Sequence, residues 1–177
     1  MDYQPGILAR IEDADDLLDR AAEAIAIARR RGCTVAYVRV AFDQADVDAM
    51  PAGSPLRARI ESGGDALRAE SPATAVHERL APAPDDIVVR KTRVGAFSTT
   101  DLDAQLRERG IDTLLLAGIS TSGVVLSTVR DAADRDYALF VVADACADPE
   151  PDVHAFLTER IYPRQASVIT VADLEAL

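Results

Sequence analysis

The chain has 177 residues, 49% of them hydrophobic, and carries 30 acidic against 19 basic side chains for a formal charge of −11. That length predicts one domain over residues 1–177 with a sizeable core, and the acidic balance repels phosphate backbones and argues against nucleic acid as a partner. There is no run of 18 apolar residues and no basic-then-apolar leader pattern at the start. Neither a membrane span nor Sec export is therefore expected, which leaves the cytoplasm.

Met1-Asp2-Tyr3 opens the chain as a strand fragment. Residues 13–31 then place Leu17, Leu18, Ala21, Ala22, Ile25 and Ala28 on one stripe and Arg20, Glu23, Arg29 and Arg30 on the other, the pattern of an amphipathic helix that Gly32 ends. Residues 34–40, TVAYVRV, are a β-branched and aromatic strand. From 42 to 84 the pattern weakens under repeated Pro and Gly, with a helical turn or two expected within 57–68. Such a span is usually a functional insertion or a partner-binding surface. Residues 86–90, DIVVR, form the next strand. Thr100-Asp101-Leu102-Asp103 resembles a capping box and opens a helix through Arg109, ended by Gly110.

Residues 112–128, DTLLLAGISTSGVVLST, organise the rest. The run 113–117 reads as a strand buried on both faces, Gly118 ends it, and from Thr121 or Ser122 helical spacing runs to Asp134. A strand that turns directly into a helix aims backbone N–H groups at one point, where a developing oxyanion could sit. A strand at 138–143, a helix at 151–161 with Val153, Phe156, Leu157 and Ile161 inward, a strand at 167–170 and a turn at 172–177 follow.

Strands alternating with helices predict an α/β fold: a three-layer α/β/α sandwich with a mostly parallel, Rossmann-like sheet of five or six strands. Ligands bind such sheets beyond the carboxyl ends of the strands. Asp2, Lys91 and the turn 118–124 reach that edge. Cys33 and Cys146 show no metal or redox spacing and are expected to be buried free thiols. With only His77 and His154 available, no metal site and no cofactor are expected. Those histidines read as a loop residue and a helix-surface residue.

At residues 85–147 the chain resembles the isochorismatase-like hydrolases, also called cysteine hydrolases, through RKTRVGAFSTTDLDAQL, LLLAGISTSGVV and VVADACAD. MDYQPGIL is similar to the family's opening motif. In that family an Asp on the first strand is general base, a Lys after the third strand stabilises charge and a Cys at the turn attacks a carbonyl. The resemblance puts these roles on Asp2 and Lys91, and puts the Cys position at Val124. It implies a cis peptide at Ile119-Ser120, an oxyanion hole from the Ser120 and Val124 N–H groups, a pocket walled by Phe97, Ile119 and Thr121, and a homodimer or larger homo-oligomer.

Valine cannot be a nucleophile, so the thioester route is closed. Isochorismatases proper carry glycine at this position and hydrolyse a vinyl ether with the Asp as acid and water attacking. Three readings stay open: a hydrolase of a small metabolite working without cysteine, a binding protein that lost the chemistry, and an assembly role for residues 42–84. A hydroxyl of Ser120, Thr121 or Ser122, or the Cys146 thiol, is a weaker substitute nucleophile. Only Met1 precedes Asp2 where this fold has several apolar residues. That predicts either a native start upstream or a stunted central strand, and in the second case the Met1 ammonium favours an ionised Asp2.

Overall fold

The structure, a computed structural model, describes residues 1–176, leaving aside the side chain of Asp65. Leu177, the end of the predicted terminal turn, lies outside them. Five strands form: β1 (Ala36–Val40), β2 (Ile87–Lys91), β3 (Thr113–Ile119), β4 (Ala138–Ala147) and β5 (Ser167–Ile169). All pairings are parallel, β1 with β2 and β4 with both β3 and β5.

Helices cover both faces. The α-helices are α1 (Pro5–Leu8) and α2 (Ala14–Arg30) before β1, α3 (Gln44–Asp48) and α4 (Pro55–Ser62) before β2, α5 (Leu102–Glu108), α6 (Leu126–Asp134) and α7 (Pro151–Phe156) between the later strands, and α8 (Val171–Ala176) after β5. The main core packs Leu102 and Leu106 of α5 and Val129 and Ala132 of α6 onto Val38, Val89, Leu114, Leu116 and Val141. On the other face Leu17, Leu18 and Ala21 of α2 meet Tyr3, Tyr37 and Ile119, and Ile27 meets Val142, Val171 and Leu174. The apolar stripe read from the sequence is therefore the packed face of α2. Gly32, at φ +72°, terminates it in a conformation that costs other residues a steric clash.

The single sheet of five or six strands is corrected: the strands divide into a two-stranded and a three-stranded sheet. The central position between β1 and β3 holds only the backbone of Met1 and Asp2, too short to count as a strand. Asp2 N–H donates to Val38 O at 2.8 Å, the Met1 amine to Ala117 O at 2.8 Å and Ile119 N–H to Met1 O at 3.2 Å. Two residues thus tie the sheets together at one end.

Other expectations shift for local reasons. β3 is not buried on both faces at its start, since Thr113 is exposed and Leu115 is 39% exposed. The span 42–84 is more ordered than its punctuation suggests: α3 opens on a capping box of Asp43 and Asp46, and Phe42, Val47, Met50 and Ile60 form a small core of their own. Its surface shows none of the exposed large apolar side chains; among the described residues these are Val88, Val94, Leu115 and Phe156. Phe156 was expected inward and is 57% exposed. After it the backbone widens into a π-helical turn, Leu157–Ile161, which rotates the buried face by adding a residue to the turn. No helix among the described residues is long and apolar enough to cross a membrane.

Candidate functional site

Asp2 sits where the two sheets meet. Its φ of +60° lies in the left-handed region, which Asp tolerates better than most residues. Gly118 makes the approach possible: a Cβ there would stand 2.6 Å from Met1 O. The side-chain amide of Gln4 continues the ladder, accepting from Val40 N–H at 2.8 Å and donating to Val40 O at 2.9 Å and Thr74 O at 2.8 Å. Gln4 was not singled out from the sequence, although it belongs to the opening motif that carried the resemblance.

Lys91 ends β2 and reaches across the edge of β1. Its Nζ lies 2.8 Å from Asp2 Oδ2, both side chains are nearly inaccessible, and it also donates to Arg93 O at 3.2 Å. Asp2 Oδ1 is buried and has no hydrogen-bond partner. Burial raises the Asp2 carboxyl above its usual range, and the Lys91 and Met1 charges oppose this without cancelling it. The Met1 ammonium favours the ionised carboxylate, as expected, but burial outweighs it. Burial also lowers the Met1 amine to about 6, so its own positive charge is weakly held.

The turn after β3 is tightly built. The Ile119–Ser120 peptide is cis, at the place the resemblance implied. Thr121–Val125 form a π-helical turn, and Ser120 O accepts from Gly123 N–H at 3.1 Å and Val125 N–H at 3.3 Å. A side chain at Gly123 would meet Ser120 Oγ at 2.7 Å. Val124 is buried in the main core together with Phe97, and the Met1 side chain packs on the same cluster. Phe97 stacks on Tyr137 at 6.0 Å between ring centroids and borders the cavity between β1 and β3. Asp2 and Lys91 are thus brought together directly and Ile119 bonds the neighbouring Met1, while Val124 and Phe97 lie in the core on which the Met1 side chain packs.

His154 is not the helix-surface residue expected. Its Nδ1 lies 2.8 Å from Thr121 Oγ1, and burial lowers its pKa. Tyr162 OH donates to Thr121 O at 2.6 Å, and Ser122 N–H donates to Asp148 Oδ2 at 2.7 Å. Three side chains from beyond β4 therefore clamp the turn. The thiols also divide: Cys33 is exposed, against expectation, because it follows the turn in which α2 ends. Cys146 is buried and burial pushes it up to about 12, which keeps it protonated and unreactive. A shallow groove of about 540 Å³ along the outer edge of β2, near Arg90, Thr99 and Asp101, contains none of the candidate residues.

The fold is a parallel α/β arrangement with an acid–lysine pair buried at the end of β2. The isochorismatase domain model matches residues 1–173, and the chain belongs to the isochorismatase family of hydrolases. It is 35% identical to the isochorismatase family protein YecD of Escherichia coli O157:H7 over 98% of this chain and 91% of that one. The ureidoacrylate amidohydrolase RutB of Methylobacterium radiotolerans is 36% identical over 77% of this chain, which spans only 57% of that relative's length. Among solved structures, an isochorismatase family protein from Burkholderia thailandensis superposes with TM-score 0.83 at 32% identity, covering 99% of this chain and 90% of that one. N-carbamoylsarcosine amidase from Thermoplasma acidophilum superposes with TM-score 0.71 at 29% identity over 88% and 83% of the two chains.

Proposed function

We propose that this chain hydrolyses a small metabolite without a cysteine nucleophile. Asp2 handles the proton, Lys91 holds negative charge and water is the attacking species. The observation that carries this reading is the orphaned Oδ1 of Asp2, a buried carboxyl oxygen with no partner beside a lysine already engaged on Oδ2. A buried polar atom left unpaired costs on the order of 1–3 kcal/mol, which a bound molecule that shares a proton with it can recover.

Burial holds a proton on Asp2 more strongly than water would, which suits a general acid. The acid protonates the substrate, water adds at the electrophilic carbon, and the proton released by that water returns to the carboxylate. Lys91 steadies the carboxylate while it is ionised. In this reading the Ser120 and Val124 N–H groups bind the substrate oxygen, with Ile119 and Phe97 lining the space and Thr121 holding the turn behind it. The names of two relatives, an amidohydrolase and an amidase, support a small amide- or carbamoyl-sized substrate. Val124 at the place of the family thiol supports an ether, ester or other group that water attacks once it is protonated.

The test is a hydrolysis screen of the purified chain against vinyl ethers, amides, carbamates and small esters, beside Asp2→Asn and Val124→Cys. Turnover in the parent that drops by about 10²-fold or more in Asp2→Asn is the expected result. An inert parent, with amide hydrolysis appearing only in Val124→Cys, overturns it in favour of a binding protein that kept the scaffold and lost the nucleophile.

A further inference from the structure

The two outer strands end the array in different ways. β5 is three residues long and passes at once into a turn, where Asp173 Oδ2 accepts from both the N–H and the hydroxyl of Thr170. β2 is five residues long, and among the described residues no strand pairs with its outer side. Such an edge offers unpaired N–H and C=O groups to another strand, and proteins commonly shorten it, bulge it or give it lysines. β2 pairs with β1 without a register shift, and its one lysine, Lys91, is turned inward to Asp2. What it presents outward instead is Val88, an apolar side chain that is 50% exposed.

The bonds to β1 show which backbone groups that edge leaves over. Ile87 N–H donates to Val35 O at 3.0 Å and Lys91 O accepts from Ala41 N–H at 3.3 Å, so the odd residues of β2 face β1. The alternation of a ladder turns the N–H and C=O groups of Val88 and Arg90 outward. At either end the chain satisfies its own donors. Asp86 N–H donates to Ala83 O at 3.1 Å and Thr92 N–H to Thr99 Oγ1 at 3.0 Å. The N–H groups of Val88 and Arg90 are left to the groove of about 540 Å³ beside them.

This segment is its own complement in charge. Asp85-Asp86 precedes the apolar residues 87–89, and Arg90-Lys91 follows them. A copy laid antiparallel about Val88 sets Asp86 opposite Arg90 of the other copy, twice over. A parallel copy sets Asp86 against Asp86 and Arg90 against Arg90. Opposite charges across a strand pair stabilise it and like charges oppose it. Both groups have room for a further partner of opposite sign: Arg90 already gathers the carboxylates of Asp43 and Asp46, and the bonds Asp86 accepts from Arg29 and from Ala83 N–H both fall on Oδ2.

We propose that the outer edge of β2 is a surface on which two copies of this chain pair, antiparallel, across a two-fold axis at Val88. Val88 N–H donates to Val88 O of the other copy in both directions, and each Arg90 N–H donates to Asp86 O of the other copy. Both outward donors of each edge are then used. The two β1–β2 sheets become one four-stranded sheet in the order β1-β2-β2-β1, and the two exposed valines cover each other. Shifting the pairing by two residues keeps the hydrogen bonds but sets Asp86 opposite Thr92, so charge selects the register. The contact is isologous and closes at two copies. A strip this narrow lies at the small end of specific interfaces, which makes the dimer reversible. The family resemblance implies association without naming a surface; this edge is assigned by the residues above. Nothing here depends on the hydrolytic reading, because the readouts are mass and amide exchange.

The test is sedimentation velocity on the parent, Val88→Lys, Val88→Glu and an equimolar mixture of the two variants. Between about 5 and 500 µM the parent is expected to show a reversible monomer–dimer equilibrium, with hydrogen exchange at the Val88 and Arg90 amides slowing as the dimer fills. Each variant sets like charges face to face on the axis at a position exposed in the single chain, so it keeps the parent's Tm and fold. Each alone is expected to weaken association at least about tenfold, and the mixture to restore it as a heterodimer of the two variants. A parent that stays monomeric at about 500 µM overturns the proposal. A dimer that neither variant weakens also overturns it and puts association on another face. So does a mixture no stronger than either variant alone, because the two copies of residue 88 then do not meet.

Discussion

Lys91 Nζ and Asp2 Oδ2 face each other at 2.8 Å with both side chains almost wholly out of water. Removing one partner of such a pair leaves the other charge stranded, at a typical cost of about 3–5 kcal/mol. Lys91→Met and Asp2→Asn are each expected to be strongly destabilising in urea unfolding. The double variant should lose clearly less than the sum of the two, because neither charge is then left alone. Additive losses would show that the two groups do not stabilise one another.

The Asp2 carboxyl makes a signed prediction with pH. Its folded value is raised above the ordinary 3.8, first by burial. Its contribution to stability is therefore fully present below 3.8 and is lost as pH rises through the higher folded value. Stability of the parent relative to Asp2→Asn is expected to fall as pH increases from about 4. A difference between the two that stays constant across this range would mean that the carboxyl is not shifted.

Much of this arrangement was legible beforehand, and the reason differs by residue. The stripe of α2 and the apolar run of β3 are periodic signals that burial enforces, and Asp2 and Lys91 were legible through the family motifs around them. β4 was read as ending at Ala143 because Asp144 interrupts the apolar run. It continues to Ala147 because the register shifts between Leu116 and Gly118 and lets Gly118 pair with Cys146. The two π-helical turns escape any reading built on 3.6 residues per turn, and Phe156 was misplaced for that reason. His154 stands 33 residues from Thr121, and no local pattern marks a contact of that kind.

The Met1 amine gives the opposite slope to Asp2. Burial lowers it from 8.0 to about 6, so its contribution to stability is present above pH 8.0 and is lost as pH falls through about 6. The chain as it stands is expected to lose up to about 3 kcal/mol between these limits from this group. Acetylation of the Met1 nitrogen removes the titrating group and should flatten that part of the profile. Thermal melts at pH 6 and pH 8 on the two forms decide it. An equal pH dependence would mean that the amine is solvated.

Thr121 and His154 look, by contact alone, like a hydroxyl and its base. Thr121 is wholly inaccessible and its carbonyl is held by Tyr162, which makes the pair a clamp on the turn. His154→Ala leaves a buried hydroxyl without its imidazole and is expected to cost about 1–3 kcal/mol at neutral pH. Because burial lowers the His154 pKa from 6.5, its contribution is present above 6.5 and is lost as pH falls through the lower folded value. The parent's advantage over His154→Ala should therefore shrink in acid. Thr121→Val should keep turnover within about tenfold of the parent, whereas loss of a true nucleophile would cost several orders of magnitude.

Gly118 and Gly32 test whether placement of Asp2, rather than general stability, governs the site. A Cβ at Gly118 would stand 2.6 Å from the Met1 carbonyl oxygen and 3.0 Å from the Met1 Cβ. The obstacle is backbone, so it cannot rotate away. Gly118→Ala must push Met1 off β3, break the bond from Ile119 N–H to Met1 O and draw Asp2 away from Lys91. An expected loss of about 1–3 kcal/mol should come with a fall in kcat approaching that of Asp2→Asn, although every catalytic candidate is still present. Gly32→Ala meets nothing within 4 Å but sits at φ +72°, so it should cost about 1 kcal/mol through backbone strain and leave kcat unchanged. If the two alanines lower kcat equally, the loss follows stability and the close approach of Met1 to Gly118 is not what holds Asp2 in place.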